Sequence, residues 1–300
     1  MSQDQQNLNK LKLFYLGARP RTLPAAVSPV IVGSAIAVNR RLGDLSIAKF
    51  ILCLAVALFL QIGVNYANDY SDGIKGTDDK RVGPLRLVGS NLVEPRYVKY
   101  AAFICGLLAA VAGLILALVT SFWFIPVGLV SILAAWGYTG GPKPYGYMAL
   151  GELSVLIFFG FVATVGSFYA QSLHINSVSV VGGLSVGLLA CSILVANNLR
   201  DIEGDRQNRK RTLAVLLGDT YTRFLLVFTT VMGIILSIAI GYMLHDMWTS
   251  IAVATLAVAV NPLIRTIRKA KGKDLIPVLK QVAMIEIVYS ILLTIGLFVR

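Results

Sequence analysis

Apolar residues run through this chain in long unbroken blocks. They show neither the alternation of a half-buried strand nor the one-sided stripe of a surface helix. The blocks cover 22–39, 47–68, 98–119, 122–138, 148–170, 178–198, 221–243, 247–264 and 281–299. At about 1.5 Å per residue, a helix of roughly 20 residues crosses a hydrocarbon core of about 30 Å. Only helices and closed barrels satisfy their backbone in lipid, and without period-two alternation a barrel is excluded. The pattern predicts an all-α integral membrane protein of nine transmembrane helices, forming a single domain over 1–300. Residues 1–13 read as a disordered tail with no cleavable signal. The longer polar breaks, about 69–97 and 199–220, read as loops.

Charge orients this array. Charged residues make up only 14% of the chain, and its net charge is +12. Lysines and arginines cluster before the first block, between the second and third, between the sixth and seventh, and between the eighth and ninth. The opposite side receives Arg40, Arg41, Lys49 and Arg300. The positive-inside rule then puts the N-terminus in the cytoplasm and the C-terminus outside the cell membrane. No aromatic-basic motif supports a nucleic-acid partner. Cys53, Cys105 and Cys191 lie inside apolar blocks and read as packing residues. His174 and His245 stand alone, which argues against a histidine metal site.

The acids are placed unusually. "NYANDYSDGIKGTDD" ends the second block, and "NNLRDIEGD" ends the sixth on the same side. Asn65-x-x-x-Asp69 and Asn197-x-x-x-Asp201 share a spacing, as if two parallel four-helix repeats preceded a ninth helix. At helical spacing Asn65, Asp69 and Asp72 share one face, and so do Asn198, Asp201 and Asp205. Two carboxylate clusters at one membrane edge repel each other unless a cation joins them. Oxygen ligands without His or Cys favour a hard ion, Mg²⁺ or Ca²⁺. Mg²⁺ typically fills its remaining positions with water and substrate phosphate. Basic residues stand beside the acids, among them Lys75, Arg81, Arg86, Arg200 and Lys210. They point to a bound diphosphate, and the apolar blocks below point to a lipid tail on it.

These motifs resemble the two Asp-rich motifs of the UbiA-type intramembrane aromatic prenyltransferases. Within that superfamily, "ARPRTLPAAVSPVIVG", "GTDDKRVGPLRLV" and "GELSVLIFFGFVATVGSFY" are most similar to the 1,4-dihydroxy-2-naphthoate polyprenyltransferases of menaquinone synthesis. The likeness runs from about residue 14 to the last block. It implies a helix bundle around a central cavity, capped on the cytoplasmic side by the motif loops. It implies Mg²⁺-dependent transfer of a polyprenyl group from its diphosphate to the aromatic acid, with loss of CO₂ and diphosphate. Asp69, Asp72, Asp201 and Asp205 are then expected to hold Mg²⁺–diphosphate, with Asn65 and Asn198 ligating or orienting. Gly76 replaces the family's third acid of the first motif, so a second metal falls to Asp78 or Asp79, and the choice stays open. Lys210, Arg200, Arg81 and Arg86 are the expected diphosphate contacts. Tyr138 and Lys143 match a Tyr and a Lys of the family between the fourth and fifth blocks. Arg19 is a candidate for an acceptor carboxylate, and Glu152 is an intramembrane acid that invites a functional role. Acceptors such as 4-hydroxybenzoate or homogentisate stay open, as does a cation carrier, whose acids belong nearer the bilayer midplane.

Overall fold

A computed structural model describes residues 9–39, 45–76 and 85–299. Helices cover every predicted apolar block. We label them α1 (Lys10–Gly17), α2 (Pro24–Val38), α3 (Ile47–Ile74), α4 (Pro95–Val119), α5 (Phe124–Gly137), α6 (Gly151–Ser172), α7 (Ser177–Gln207), α8 (Leu213–Leu244), α9 (Met247–Ile267) and α10 (Leu275–Phe298). Among the described residues there is no strand, only an isolated bridge between Met148 and Arg211.

Seven of these helices are long and apolar enough to cross a membrane. An eighth arises if α1 and α2, bent by 52°, count as one span. The expectation was nine. The difference lies in α5, whose 14 residues reach about 21 Å, short of a 30 Å core. The chain is thus a multi-pass helical membrane protein. Its outward side chains agree: Ile104, Leu107, Leu118, Trp123, Leu129 and Leu133 are all exposed, as lipid-facing residues must be.

Other expected boundaries shift for local reasons. The predicted tail 1–13 overlaps α1, because Leu13 is buried in a cluster with Tyr66 and Leu87. Residues 1–8 lie outside the described residues. The predicted loops 69–97 and 199–220 begin as helix, since α3 runs to Ile74 and α7 to Gln207. Asp69, Asp72, Asp201 and Asp205 therefore sit on ordered helical turns. Near its start α8 is broken at Gly218, with φ 74° and ψ 175°, a conformation open only to glycine.

Lipid tails are as apolar as leucine, so the hydrophobic effect does not hold these helices together. Close packing does, through small residues that let backbones touch. A Cβ on Gly183 would stand 2.7 Å from the carbonyl oxygen of Gly160, and one on Gly33 2.1 Å from that of Thr164. Gly160 lies within a π-helical stretch, Leu156–Val165, that widens α6 where it meets α2 and α7. Buried hydroxyls add interhelical hydrogen bonds: Ser185 donates to the Gly233 carbonyl at 2.7 Å. Central α7 buries Val186, Leu189, Val195 and Ala196 almost completely.

This packing makes a prediction. Gly183→Leu should lower the thermal midpoint of the detergent-purified protein, by about 1–3 kcal/mol of overpacking. Gly106→Ala, whose added carbon meets nothing within 4 Å, should leave the midpoint unchanged or raise it. Equal midpoints for both variants would contradict the assignment of Gly183 to a backbone contact.

Candidate active site

The bundle encloses a cavity of about 550 Å³. We call its polar end, the one nearest both acidic motifs, the mouth. Arg19, Asn65, Asn68, Tyr138, Asn197 and Arg200 line the mouth. Below them the walls turn apolar, with Val56 and Leu60 from α3 and Phe158, Phe159 and Val162 from the π-helical stretch of α6.

The first motif is held by the segment that follows it. Asp69 is fully buried, and its two oxygens accept the backbone N–H groups of Leu87 at 2.8 Å and Val88 at 3.0 Å. A carboxylate taken out of water needs such donors. The segment comes this close because residue 73 is glycine; a Cβ there would stand 2.4 Å from the Val88 side chain. One helical turn on, Asp72 pairs with Lys210 Nζ at 3.0 Å and with Arg86 Nη2 at 3.6 Å. It also accepts a hydrogen bond from the Tyr147 hydroxyl.

Tyr147 joins three segments. Lys75 and Lys210 lie over its ring at 5.1 and 4.7 Å, favourable positions for a cation on an aromatic face. Its carbonyl accepts the Arg211 N–H at 3.2 Å. Lys75 also donates to the Thr139 carbonyl at 3.1 Å. Burial holds the Lys75 ammonium below the usual lysine range; Asp72 opposes that shift and Lys210 reinforces it.

The second motif is organised by Arg200. Its Nε and Nη2 each lie 2.7 Å from one oxygen of Asp201. Nη2 also donates to Asn197 Oδ1 at 2.7 Å. Nη1 is buried and has no hydrogen-bond partner among the described residues. Asp205, half-buried, accepts the Lys210 backbone N–H through its carbonyl at 2.8 Å. Lys210 therefore ties the second motif to Asp72 of the first.

The remaining predicted residues divide. Asn65 lines the mouth and donates to the Ala18 carbonyl at 2.8 Å and to Thr22 Oγ1 at 3.0 Å. Arg19 takes a left-handed backbone, φ 52°. Its Nε and Nη2 are buried without a hydrogen-bond partner among the described residues. Tyr138 meets Tyr145 edge to face at 5.5 Å. Asn198 does not line the cavity; its Nδ2 donates to Glu152 Oε1 at 3.0 Å. Lys143 is exposed and outside the cavity wall. Asp78, Asp79 and Arg81 lie outside the described residues.

Sequence reasoning passed over four residues here. Asn197, not Asn198, lines the mouth; the shared Asn-x-x-x-Asp spacing was the available signal. Asn68, which accepts from Thr139 Oγ1 at 2.6 Å, directly precedes Asp69. Tyr147 and the cavity-lining Lys280 had no sequence signal, because their neighbours are distant along the chain.

A divalent ion can be tested against this donor set. Among the described residues no three His, Cys, Asp or Glu side chains converge tightly enough to hold one. The donors themselves are oxygen-only carboxylates, as hard ions require. Asp72 and Asp201 already take cationic partners at 3.0 and 2.7 Å, so both positions attract positive charge. In kind, the residues fit Mg²⁺.

Three comparisons bear on this site. The sequence model of the UbiA prenyltransferase family matches residues 26–283. The 1,4-dihydroxy-2-naphthoate octaprenyltransferase of Mycobacterium tuberculosis is 48% identical over 277 residues, covering 92% of this chain and 93% of that protein. The enzyme of the same name from Mycobacterium leprae is 47% identical over 280 residues, 92% of each chain. A UbiA homolog from Archaeoglobus fulgidus, solved bound to GPP and Mg²⁺, superimposes with a TM-score of 0.67 at 14% identity, covering 95% of this chain and 99% of that one. At that identity the likeness concerns the fold.

The grip of Asp69 on Leu87 and Val88 is testable without turnover. Asp69→Asn turns one acceptor into a donor aimed at a backbone N–H, a loss of about 1–3 kcal/mol. Hydrogen exchange at the Leu87 and Val88 amides should quicken roughly tenfold or more. Unchanged protection at both amides would refute the contact.

Proposed function

The chain belongs to the UbiA prenyltransferase family, and from that premise we propose that it transfers a polyprenyl group from polyprenyl diphosphate to 1,4-dihydroxy-2-naphthoate. The products are diphosphate, CO₂ and demethylmenaquinone in its quinol form. One observation carries the reading. The Asp72–Lys210 ion pair joins the two acidic motifs, whose neighbours Asn68 and Arg200 line the polar end of an otherwise apolar cavity. That arrangement suits a substrate with an anionic head and a hydrocarbon tail.

Asp69, Asp72, Asp201 and Asp205 are the residues that would hold Mg²⁺, with Asn65, Asn68 and Asn197 at its margin. Asn198 serves indirectly, by holding Glu152 behind the wall. Asp78 or Asp79 supplies a further carboxylate. When bound, the ion neutralises charge on the departing diphosphate. Lys210, Arg200 and Arg86, donors already aimed at the motif acids, take up the rest of that charge together with Arg81. The allylic C–O bond breaks and its electron pair leaves with diphosphate. The ring carbon bearing the carboxylate then supplies the electrons for the new C–C bond. Release of CO₂ returns a pair to the ring, so no proton is gained or lost.

Tyr138 presents a neutral aromatic face near the cation. Arg19, with two unpartnered buried nitrogens, attracts the acceptor carboxylate. Lys143, exposed on the loop between Tyr138 and Tyr145, attracts anionic substrate. The apolar wall keeps water from the cation.

The same reading sets the protein in its membrane. It crosses nine times as one domain, with α5 and the bent α1–α2 pair completing the seven clear spans. The N-terminus and active site face the cytoplasm and the C-terminus lies outside. The motif segments and the basic residues around them form a cytoplasmic cap. A cation carrier fits less well, because the acids lie at one end of the helices.

Purified protein given Mg²⁺, a polyprenyl diphosphate and carboxyl-labelled 1,4-dihydroxy-2-naphthoate should form prenylated product and release labelled CO₂. Chelation should stop turnover and added Mg²⁺ restore it. Asp201→Ala should lower kcat about 10²-fold or more with the protein still folded. Product from 4-hydroxybenzoate or homogentisate alone would overturn the acceptor, and no product from any acid would overturn the reaction.

A further inference from the structure

The helices carry two kinds of glycine. Gly33, Gly160, Gly183 and Gly187 face neighbouring backbone at or below 3.0 Å from an added Cβ. Close helix contact accounts for them. Gly128, in the first half of α5, is different: a Cβ there would meet nothing within 4 Å. At Gly113 in α4 it would meet only the Val56 side chain, at 3.8 Å. Glycine in a helix is less stable than alanine, and no packing contact compensates at these two positions. Both line the cavity.

Their depth gives them a role. On α3 the cavity wall runs from Asn68 at the mouth to Cys53, about 22 Å along the helix axis. Gly128 stands ten residues before the mouth residue Tyr138, about 15 Å deeper. Gly113 and its neighbour Leu116 close the wall at the same end. Beyond the two glycines the wall holds only Leu116 on α4 and Val127 and Phe124 on α5, one helical turn or less before the outer limit. A side chain at either glycine would occupy space in the deep part of the cavity.

We infer that Gly128 and Gly113 set the longest isoprenoid tail this protein accepts, by keeping the deep end of the cavity free of side-chain volume. The inference deepens the prenyl-transfer reading and rests on it. The motif acids beside the mouth hold the head of every donor in the same place. Donors then differ only in how far the tail extends, so volume added at the bottom discriminates by length alone.

The test compares kcat/KM for geranyl diphosphate with that for all-trans polyprenyl diphosphates of increasing length, using the full-length protein, Mg²⁺ and 1,4-dihydroxy-2-naphthoate. In Gly128→Phe and Gly113→Leu the long-to-short ratio should fall about tenfold or more, the scale on which apolar pockets discriminate added carbon. Leu129→Phe, next to Gly128 but on the exposed face, should leave the ratio as it was. Gly128→Ala adds one carbon to open space. It should stay folded and shift the ratio the same way by less, so the test does not depend on the bulky variants folding. A ratio within twofold of the unsubstituted protein in Gly128→Ala and in each bulky variant that folds would overturn the inference. No turnover of any donor by the unsubstituted protein would instead sink the prenyl-transfer reading.

Discussion

Carboxylates at the end of an apolar helix are stable only where something answers their charge. That constraint shapes the whole mouth of this protein. Isolated ions in a low-dielectric setting cost far more than a fold can supply. Asp69 is met by two backbone N–H groups, Asp72 by Lys210 and Arg86, and Asp201 by both arms of Arg200. The answers to Asp69 and Asp72 draw other segments in, while Arg200 answers Asp201 from the same helix. The 85–93 segment folds back onto α3, and the segment after α7 reaches across to it. The acids thus organise the structure around them as well as the site.

Beneath the mouth a second constraint operates. Helices in lipid gain little from burying apolar surface, so they meet through glycine and hydroxyl contacts. Gly160, Gly183 and Gly187 bring α6 and α7 together, and Gly33 brings in α2. Where the glycines instead face space, the helices stand apart and a cavity persists. One residue type therefore does opposite jobs, and only its surroundings distinguish them. The π-helical turns of α6 contribute to both, with Gly160 in the contact and Phe158 and Phe159 on the cavity wall.

Much of the architecture was legible in the chain. Long apolar blocks demand helices in lipid, and every predicted block is helical. Sequence reading was least accurate in the bounds of helices, which depend on neighbours. The apolar block at 122–138 was long enough on paper, yet α5 spans only Phe124–Gly137, because the chain turns at the residues before it. The tail at 1–13 overlaps α1, where Leu13 packs with Tyr66 and Leu87, residues distant in sequence. At the site the acids stood out, but their partners did not. Asn198 shared a helical face with Asp201 and Asp205, but the fold turns it to Glu152 and leaves Asn197 at the mouth.

The sequence alone determined that this is a helical membrane protein with two acidic motifs of matching spacing at one end, beside basic residues and above apolar walls. Composition and period decide that much, since lipid permits so few structures and a charge near it demands a reason. The tertiary structure decided which groups meet. It set Tyr147 between Lys75 and Lys210, gave Asp201 to Arg200, and separated the glycines of close contact from those of open space. Those outcomes depend on distances between segments far apart in the chain, and no local pattern of residues encodes a distance.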